Sequence, residues 1–127
     1  MERFFWICLA GAAGTGTRYL VGLWAAERLG TSFPYGTLIV NATGCFLIAL
    51  VMHLALNMVA FPPNLRFGLT TGFMGGLTTY SSFNYETMQL ARNSAVGASV
   101  LNFGVTTLGC FLAGFLGFVL AERLLGV

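Results

Sequence analysis

Charged side chains are scarce in this chain, and lysine and aspartate are absent from it altogether. Six arginines and four glutamates supply its charge, so that only 8% of the 127 residues are charged. Soluble domains have about 25% charged residues. Hydrophobic residues make up 57% of the chain, and the mean hydropathy is +0.81. This composition excludes an ordinary soluble domain and indicates an integral membrane protein, while a scattered net charge of +2 predicts no nucleic-acid partner.

Cysteine is rare as well. Cys8, Cys45 and Cys110 are odd in number and lack the spacing of metal ligands. Each lies within a hydrophobic run, where cysteine behaves as a small apolar side chain. The cysteines therefore imply neither a disulfide framework nor a metal site. The single histidine, His53, has no accompanying metal-ligand cluster, and we assign it no role.

Four hydrophobic runs are each long enough to span a membrane, which takes about 20 helical residues for about 30 Å of hydrocarbon. Charged residues, proline and glycine separate them, so we predict spans near residues 4–27, 36–60, 67–90 and 95–121. The predicted fold class is all-α, with residues 1–127 forming a single multi-pass transmembrane domain. A cleaved signal peptide over residues 1–14 is less favoured, because the apolar run resumes at Tyr19 and continues to Ala26.

Arginine is spread almost evenly between the two membrane sides that four spans create. The arginines on one side are Arg3, Arg66 and Arg123, and those on the other are Arg28 and Arg92. Arg18 lies inside the first span. Because arginine bias normally sets orientation, we predict that the chain inserts in both orientations. An antiparallel homodimer with a two-fold axis in the membrane plane follows as the natural assembly.

The third hydrophobic run is interrupted by a segment rich in glycine, hydroxyl and aromatic residues, GFMGGLTTYSSFNYE at 72–86. Gly75 and Gly76 are expected to weaken the helix there. The hydroxyls that offer partners to the freed backbone belong to Thr78, Thr79, Ser81 and Ser82. Irregular backbone survives at membrane depth only when buried in protein or lining a polar path. Its carbonyl oxygens can bind a cation, and two from each chain of a dimer would form a four-oxygen cage for a small monovalent ion.

Polar and aromatic side chains elsewhere suggest a path for an anion. Tyr80 and Phe83 lie three residues apart, on one face of a resumed helix, and ring edges carry the partial positive charge that stabilises an anion. Asn41 in the second span can donate to an anion or bond a neighbouring helix. Asn102 and Thr106, one turn apart in the fourth span, could line the same path. Plain aromatic packing is the alternative role for the ring pair.

Small residues recur at four-residue spacing in three of the spans. The positions are Gly68, Gly72 and Gly76 in the third span, Ala10 and Gly14 in the first, and Ala113 and Gly117 in the fourth. Such faces let helices approach closely in membranes. The face of the third span fits packing between two chains and packing within one chain equally well.

Three segments together resemble the Fluc/CrcB family of bacterial and archaeal fluoride channels: GAAGTGTRY at 11–19, PYGTLIVNATG at 34–44 and TGFMGGLTTYSSFNYE at 71–86. The resemblance covers essentially the whole chain, and the last segment is its most specific part. It implies a passive, fluoride-selective channel that exports cytoplasmic fluoride through the cell inner (plasma) membrane. It also implies an antiparallel, dual-topology homodimer with two pores and a central structural sodium ion.

The resemblance further implies roles for individual residues. The backbone carbonyls of Gly75 and Thr78 from both chains correspond to the sodium ligands. Asn41 corresponds to the pore asparagine, and Tyr80 and Phe83 correspond to the paired aromatics of the fluoride path. The polar positions beside the rings are Thr79, Ser81 and Ser82.

Two charged residues and one departure complete the comparison with the family. Arg18 corresponds to an arginine near the vestibule, and Glu86 corresponds to the acid at the end of the broken helix. The family usually has phenylalanine where this chain has Tyr80. Because the hydroxyl adds a donor and bulk at a narrow place, we predict that fluoride conduction persists at an altered rate.

Other functions fit the sequence less well. A small dual-topology, proton-coupled multidrug exporter would share the short spans and balanced charge, but it needs a titratable carboxylate at bilayer depth, and only Glu86 could serve. An accessory subunit that transports nothing would not require the clustered hydroxyls. An enzyme has the least support, since there is no nucleophile–base pair and GTGTRY lacks the third glycine of a dinucleotide fingerprint.

Overall fold

The computed structural model describes residues 1–126, which are helical for most of their length and contain no strand. The elements follow in the order α1 (Glu2–Leu29), α2 (Tyr35–Asn57), α3 (Pro63–Phe67), a π-helical segment (Gly68–Met74), α4 (Gly75–Leu77), α5 (Tyr80–Arg92) and α6 (Val96–Leu125). The four predicted spans fall on α1, on α2, on the run from α3 to α5, and on α6. We call the run from α3 to α5 the third helical run.

The polarity of the surface is the reverse of that of a soluble protein. Helices α2 and α6 are long and apolar enough to cross a membrane, and only 17% and 11% of their most apolar stretches are buried. On α6, Phe111 is 78% exposed and Leu108 is 72% exposed, whereas Ser99, Asn102 and Thr106 are buried. Soluble proteins bury large apolar side chains and expose polar ones. This arrangement suits a lipid environment and agrees with a membrane protein.

The glycine face of the third helical run packs against α1 within the chain. A Cβ added to Gly72 would lie 2.8 Å from the Ile7 carbonyl oxygen and 2.9 Å from the Ala10 Cβ, and one added to Gly76 would collide with the backbone of α1. Gly14 of α1 has no room for a Cβ either. Of the two uses open to this face, the structure shows packing within one chain. A dimer would therefore have to use other surfaces.

The pair α2 and α6 forms the most extensive helix–helix contact. A Cβ on Gly117 would collide with the backbone of Phe46, which shows how closely the two helices approach. Further along, the rings of His53 and Phe118 meet edge to face with centroids 4.3 Å apart. His53 thus packs against α6. The packed pair of α2 and α6 forms one side of the cavity described below.

The third helical run leaves helical geometry at Thr78 and Thr79, whose φ/ψ angles are −83°/154° and −153°/114°. The glycine pair expected to weaken the helix is itself still helical, with Gly75 at −61°/−36° and Gly76 within α4, and the backbone leaves the helix two residues later. Position 76 requires glycine because the backbone of α1 lies too close for a Cβ. The interruption comes instead from Thr79, which caps α5 by accepting a hydrogen bond from the Ser82 N–H over 3.2 Å.

Candidate functional site

Asn41 of α2 holds the interruption through two hydrogen bonds to the backbone of a single residue. Its Nδ2 donates to the Thr79 carbonyl over 3.0 Å, and the Thr79 N–H donates to its Oδ1 over 2.7 Å. Asn41 is buried, with 8% of its surface exposed. The sequence left open whether Asn41 donates to an anion or bonds a neighbouring helix, and the structure shows the bond to a neighbouring segment. The second Nδ2 hydrogen is not used by these bonds and can serve another acceptor.

The two hydrogen bonds at Thr79 and Ser82 also divert donors from two backbone carbonyls. In a continuous α-helix each carbonyl accepts from the N–H four residues further on. The N–H of Thr79 would bond the Gly75 carbonyl, but it donates to Asn41. The N–H of Ser82 would bond the Thr78 carbonyl, but it donates to the Thr79 hydroxyl. Gly75 and Thr78, the residues predicted to bind a cation, thus both lose their helical donors.

The hydroxyls beside the interruption form one cluster centred on Thr79. Its Oγ1 lies 3.1 Å from Ser81 Oγ and donates to Ser82 Oγ over 3.1 Å. The structure therefore brings the predicted polar positions together on the first turn of α5. Each hydroxyl can rotate to donate or accept, and the start of a helix carries partial positive charge. The cluster can present donors to an anion.

Tyr80 and Phe83 are in contact, but their surroundings differ. Their ring centroids are 5.7 Å apart and their planes are inclined by 63°, an edge-to-face arrangement. Tyr80 is 79% exposed and Phe83 only 6% exposed. Phe103 of α6 stacks on Phe83 with a centroid separation of 6.2 Å. Aromatic neighbours therefore fix the ring of Phe83, whereas Tyr80 faces the open surface.

A cavity of about 870 Å³ opens where α2, α6 and the interruption meet, and we call it the larger cavity. The predicted site residues that line it are Asn41, Gly75, Thr78, Thr79, Tyr80, Phe83 and Thr106. The rings of Phe111, Phe115 and Phe118 form much of its α6 wall. The predicted cation ligands and the aromatic pair are thus brought to one concave and largely apolar surface.

A second cavity of about 290 Å³, which we call the smaller cavity, also reaches Thr79. Arg18 of α1, Thr37 of α2 and Ser82 of α5 contribute to its lining. Thr79 is the one residue that lines both cavities. No glutamate among residues 1–126 forms an ion pair with Arg18. An arginine without an ion-pair partner among the described residues thus lines the same space as a serine and two threonines.

Glu86 lies one turn beyond Ser82 and is tied to α2. The Thr37 hydroxyl donates to Glu86 Oε1 over 2.8 Å. The other oxygen, Oε2, is buried and has no hydrogen-bond partner in the part of the chain that the structure describes. An unpaired buried oxygen is costly, so a water or a bound group that donates a hydrogen bond to this atom would stabilise it.

Asn102 and Thr106 belong to a polar chain that joins α5 to α6. Thr106 donates to Asn102 Oδ1 over 3.2 Å, Asn102 Nδ2 donates to the Thr87 hydroxyl over 2.8 Å, and that hydroxyl donates to the Phe83 carbonyl over 2.7 Å. Ser99 donates to the Thr87 carbonyl over 2.8 Å. Thr106 lines the larger cavity, but Asn102 lines neither cavity and is 1% exposed. The two residues are hydrogen-bonded to each other, but they do not line the same cavity.

Sequence reasoning missed several residues that shape the site. A Cβ on Gly44 would collide with the Thr78 methyl group, so this glycine lets Thr78 lie against α2. Thr37, Asn41 and Gly44 are spaced by four and three residues, which places them on one face of α2; this spacing was the available signal. Nothing in the sequence distinguishes Phe103 from the other phenylalanines of α6.

Comparisons with known proteins all match this chain to one family. A family model described as CrcB-like protein, Camphor Resistance (CrcB), matches residues 5–118. A protein of Sorangium cellulosum (strain So ce56) with the name "Fluoride-specific ion channel FluC" is 49% identical over 125 residues, 98% of this chain and 98% of its own length. Proteins of the same name from Anaeromyxobacter dehalogenans and Acidobacterium capsulatum are 46% identical over 126 residues and 43% identical over 122. They cover 99% and 96% of this chain and 100% and 98% of their own lengths.

Proposed function

Because the chain belongs to the CrcB-like family, we propose that it is a fluoride-selective channel through which fluoride leaves the cytoplasm passively across the cell inner (plasma) membrane. It is an ion channel and not an enzyme. The observation that carries the proposal is the interruption at Thr78 and Thr79. The residues whose carbonyls lose their helical donors line the larger cavity there, and the hydroxyl-bearing Thr79 and Ser82 line the smaller one.

In this proposal the chain crosses the membrane four times, through α1, α2, the third helical run and α6, and two copies pair in opposite orientations. The balanced distribution of arginine supports dual topology. The larger cavity supports pairing, because its concave wall is open on one side and lined by apolar rings of α6. A second chain that covers this wall would enclose polar groups that otherwise face lipid. A two-fold axis would then generate two equivalent pores.

The residues at the interruption fit a structural sodium ion. The carbonyls of Gly75 and Thr78 lack their helical donors, and both residues line the larger cavity, where a second chain would dock. Unwound carbonyls are the ligands that sodium meets in membrane proteins, and two chains would supply four of them. When bound, the ion would hold two opposed interruptions together. Replacing sodium with N-methylglucamine should then shift gel-filtration profiles of the purified protein from dimer toward monomer; an unchanged profile would contradict this role.

The proposed fluoride path begins in the smaller cavity. Arg18 attracts the anion there, without trapping it in a contact ion pair, and the hydroxyls of Thr79 and Ser82 replace part of its hydration shell. Ser81 lines neither cavity, but its hydroxyl is in contact with that of Thr79 and can add a donor. The positive edges of Phe83 and Tyr80 continue the path with weaker contacts. The spare Nδ2 hydrogen of Asn41 provides a further donor. Fluoride needs many donors because it is small and strongly hydrated, whereas a larger chloride ion is disfavoured between rings.

Glu86 has a supporting position in this scheme. Its bond to Thr37 fixes a side chain that lines the smaller cavity, close to the proposed path. A proton-coupled exporter would also rely on Glu86, because the other glutamates lie outside the predicted spans or, like Glu27, at the last residue of one. No observation favours that alternative, since the relatives are named as fluoride-specific ion channels.

The proposal is tested by reconstituting the purified protein in liposomes loaded with fluoride and following release with a fluoride electrode. A potassium ionophore compensates charge, no proton gradient is imposed, and protein-free liposomes are the control. We expect rapid release that an excess of chloride does not slow. Release no faster than in protein-free liposomes would contradict the proposal, and proton-driven transport of cationic drugs that disappears in Glu86→Gln would favour the exporter.

A further inference from the structure

At the start of α1, two guanidinium groups lie against the same phenylalanine ring. The Cζ of Arg3 is 4.5 Å from the centroid of the Phe67 ring, and the Cζ of Arg66 is 4.9 Å from it. The two Cζ atoms are therefore at most 9.4 Å apart, the sum of these distances. Each cation–π contact is favourable, but two like charges at this separation repel each other. We call these three side chains the arginine clamp.

No carboxylate neutralises the arginine clamp within the described chain. Glu2 is adjacent to Arg3 in sequence, yet no ion pair within 4 Å occurs among residues 1–126. The first turn of α1 also lacks a side-chain cap, so its backbone N–H groups add positive potential at the same end. Glu2 in the first turn offsets part of the potential of the helix start, but the two guanidinium groups have no carboxylate in contact among residues 1–126.

The surface beside the arginine clamp is apolar and exposed. Phe4 is 65% exposed, Phe5 is 60% exposed, and Trp6, whose ring meets Phe5 edge to face, is 45% exposed. Tryptophan is enriched where a membrane protein passes from hydrocarbon to headgroups. The clamp therefore lies at the boundary between a surface suited to acyl chains and the aqueous side.

We propose that Arg3, Arg66 and Phe67 bind the phosphate group of an anionic phospholipid. Arginine forms bidentate, charge-assisted hydrogen bonds with phosphate, and one phosphate between two guanidinium groups would remove their repulsion. The acyl chains would cover the exposed rings of Phe4 and Phe5. An anionic headgroup fits better than a zwitterionic one, because the latter brings its own cation to a site that already has two. This site requires only that the chain lies in a membrane, and it is independent of which ion the protein conducts.

The experiment measures binding of phosphatidylglycerol to the detergent-solubilised full chain by native mass spectrometry. The test variant is Arg3→Gln combined with Arg66→Gln, and the matched control is Arg123→Gln, an exposed arginine in the last turn of α6. A second variant, Phe67→Leu, keeps both charges and removes the ring that aligns them. Gel filtration establishes that each variant is folded and monodisperse.

We expect affinity for phosphatidylglycerol to fall about tenfold or more in the double variant, since each basic residue near an anionic headgroup contributes substantially. Phe67→Leu should weaken binding to a smaller extent, and Arg123→Gln should leave it unchanged. Equal binding by the double variant and the Arg123→Gln control would overturn the proposal, as would full binding by Phe67→Leu. If inorganic phosphate displaced the lipid at comparable concentration, the site would bind free anions and the assignment to a phospholipid would be wrong.

Discussion

The larger and smaller cavities share a single lining residue, Thr79, and otherwise differ in size, chemistry and the elements that build them. The walls of the larger cavity are α2 and the aromatic rings of α6. Gly75 and Thr78, whose carbonyls lack their helical donors, line only the larger cavity. The smaller lies between α1, α2 and α5, and Arg18 and Ser82 line only that one. The carbonyls without helical donors thus belong to residues of the larger cavity, whereas an arginine and hydroxyl side chains line the smaller one.

Two residues of extended backbone are enough to give the two sides of one interrupted helix different chemistry. Because the helix ends at Thr78, the carbonyls of Gly75 and Thr78 lose their helical donors. Because a new helix begins at Tyr80, its N-terminus lies beside the hydroxyl of Thr79. Asn41 is the residue that makes this possible, because it occupies both backbone groups of Thr79. Substitutions that alter only one cavity, or both together, can therefore distinguish the contribution of each cavity to conduction.

The largest effect is expected from Asn41→Ala, which acts on both cavities. Two buried backbone groups of Thr79 would lose their partners, and each unsatisfied group costs about 1–3 kcal/mol. The Thr79 N–H could then return to the Gly75 carbonyl and close the interruption. We expect fluoride release from liposomes to fall at least about tenfold. Asn57→Ala is the control, because that amide bonds only to the His53 carbonyl of its own helix; equal loss in both variants would contradict the role of Asn41.

Gly44→Ala should damage the larger cavity by displacing Thr78. The new methyl group would collide with the Thr78 side chain, and overpacking typically costs about 1–3 kcal/mol. Gly109→Ala is a matched control on α6, where an added Cβ meets nothing within 4 Å. We expect a lower midpoint of thermal unfolding and slower fluoride release for Gly44→Ala alone. Similar midpoints for both variants would show that Thr78 moves aside freely.

Arg18→Gln should affect the smaller cavity alone. Removing the charge lowers the local concentration of anions, and such attraction is screened by salt. We expect fluoride release to slow by about tenfold at low ionic strength and by much less in concentrated salt. Arg28→Gln, at the exposed end of α1, is the control for total charge. A loss that is independent of salt would indicate a structural role for Arg18 and would remove it from the attraction of fluoride.

The smallest effect is expected from Tyr80→Phe, which removes one hydroxyl at the rim of the larger cavity. Tyr80 is 79% exposed, and its ring contact with Phe83 does not require the hydroxyl. The conduction rate should change measurably but by less than about tenfold, the scale of one net hydrogen bond. Single-channel recording of fluoride current provides the measurement. A current indistinguishable from that of the parent would show that the hydroxyl has no part in conduction.

The sequence predicted the helical elements well because hydrophobic runs and their punctuation determine them directly. The hydroxyl-rich composition also marked the segment in which the backbone leaves the helix, where Thr79, Ser81 and Ser82 lie together. The sequence pointed to the glycine pair as the weak place, whereas the residues that leave helical geometry are Thr78 and Thr79. Gly75 and Gly76 are typical helix breakers, but tertiary packing decides here, since α1 requires a small residue at 76 and Asn41 captures the Thr79 N–H.

Other features depended on contacts between distant segments and left little trace in the sequence. The difference in exposure between Tyr80 and Phe83 arises because Phe103 and α6 cover only one of the two rings. The separation of Asn102 from the cavities arises because it is bonded to Thr87 from a different helix. Neither helical spacing nor composition reports which of two neighbouring side chains a third helix will cover.

The reversal potential of fluoride current in a planar bilayer tests whether this protein conducts fluoride passively and selectively. With a tenfold fluoride gradient, equal chloride on both sides and purified protein in the membrane, a fluoride-selective passive channel must reverse at the fluoride equilibrium potential, about 59 mV in magnitude. We predict this value. A reversal potential near zero, or the absence of current, would contradict the account.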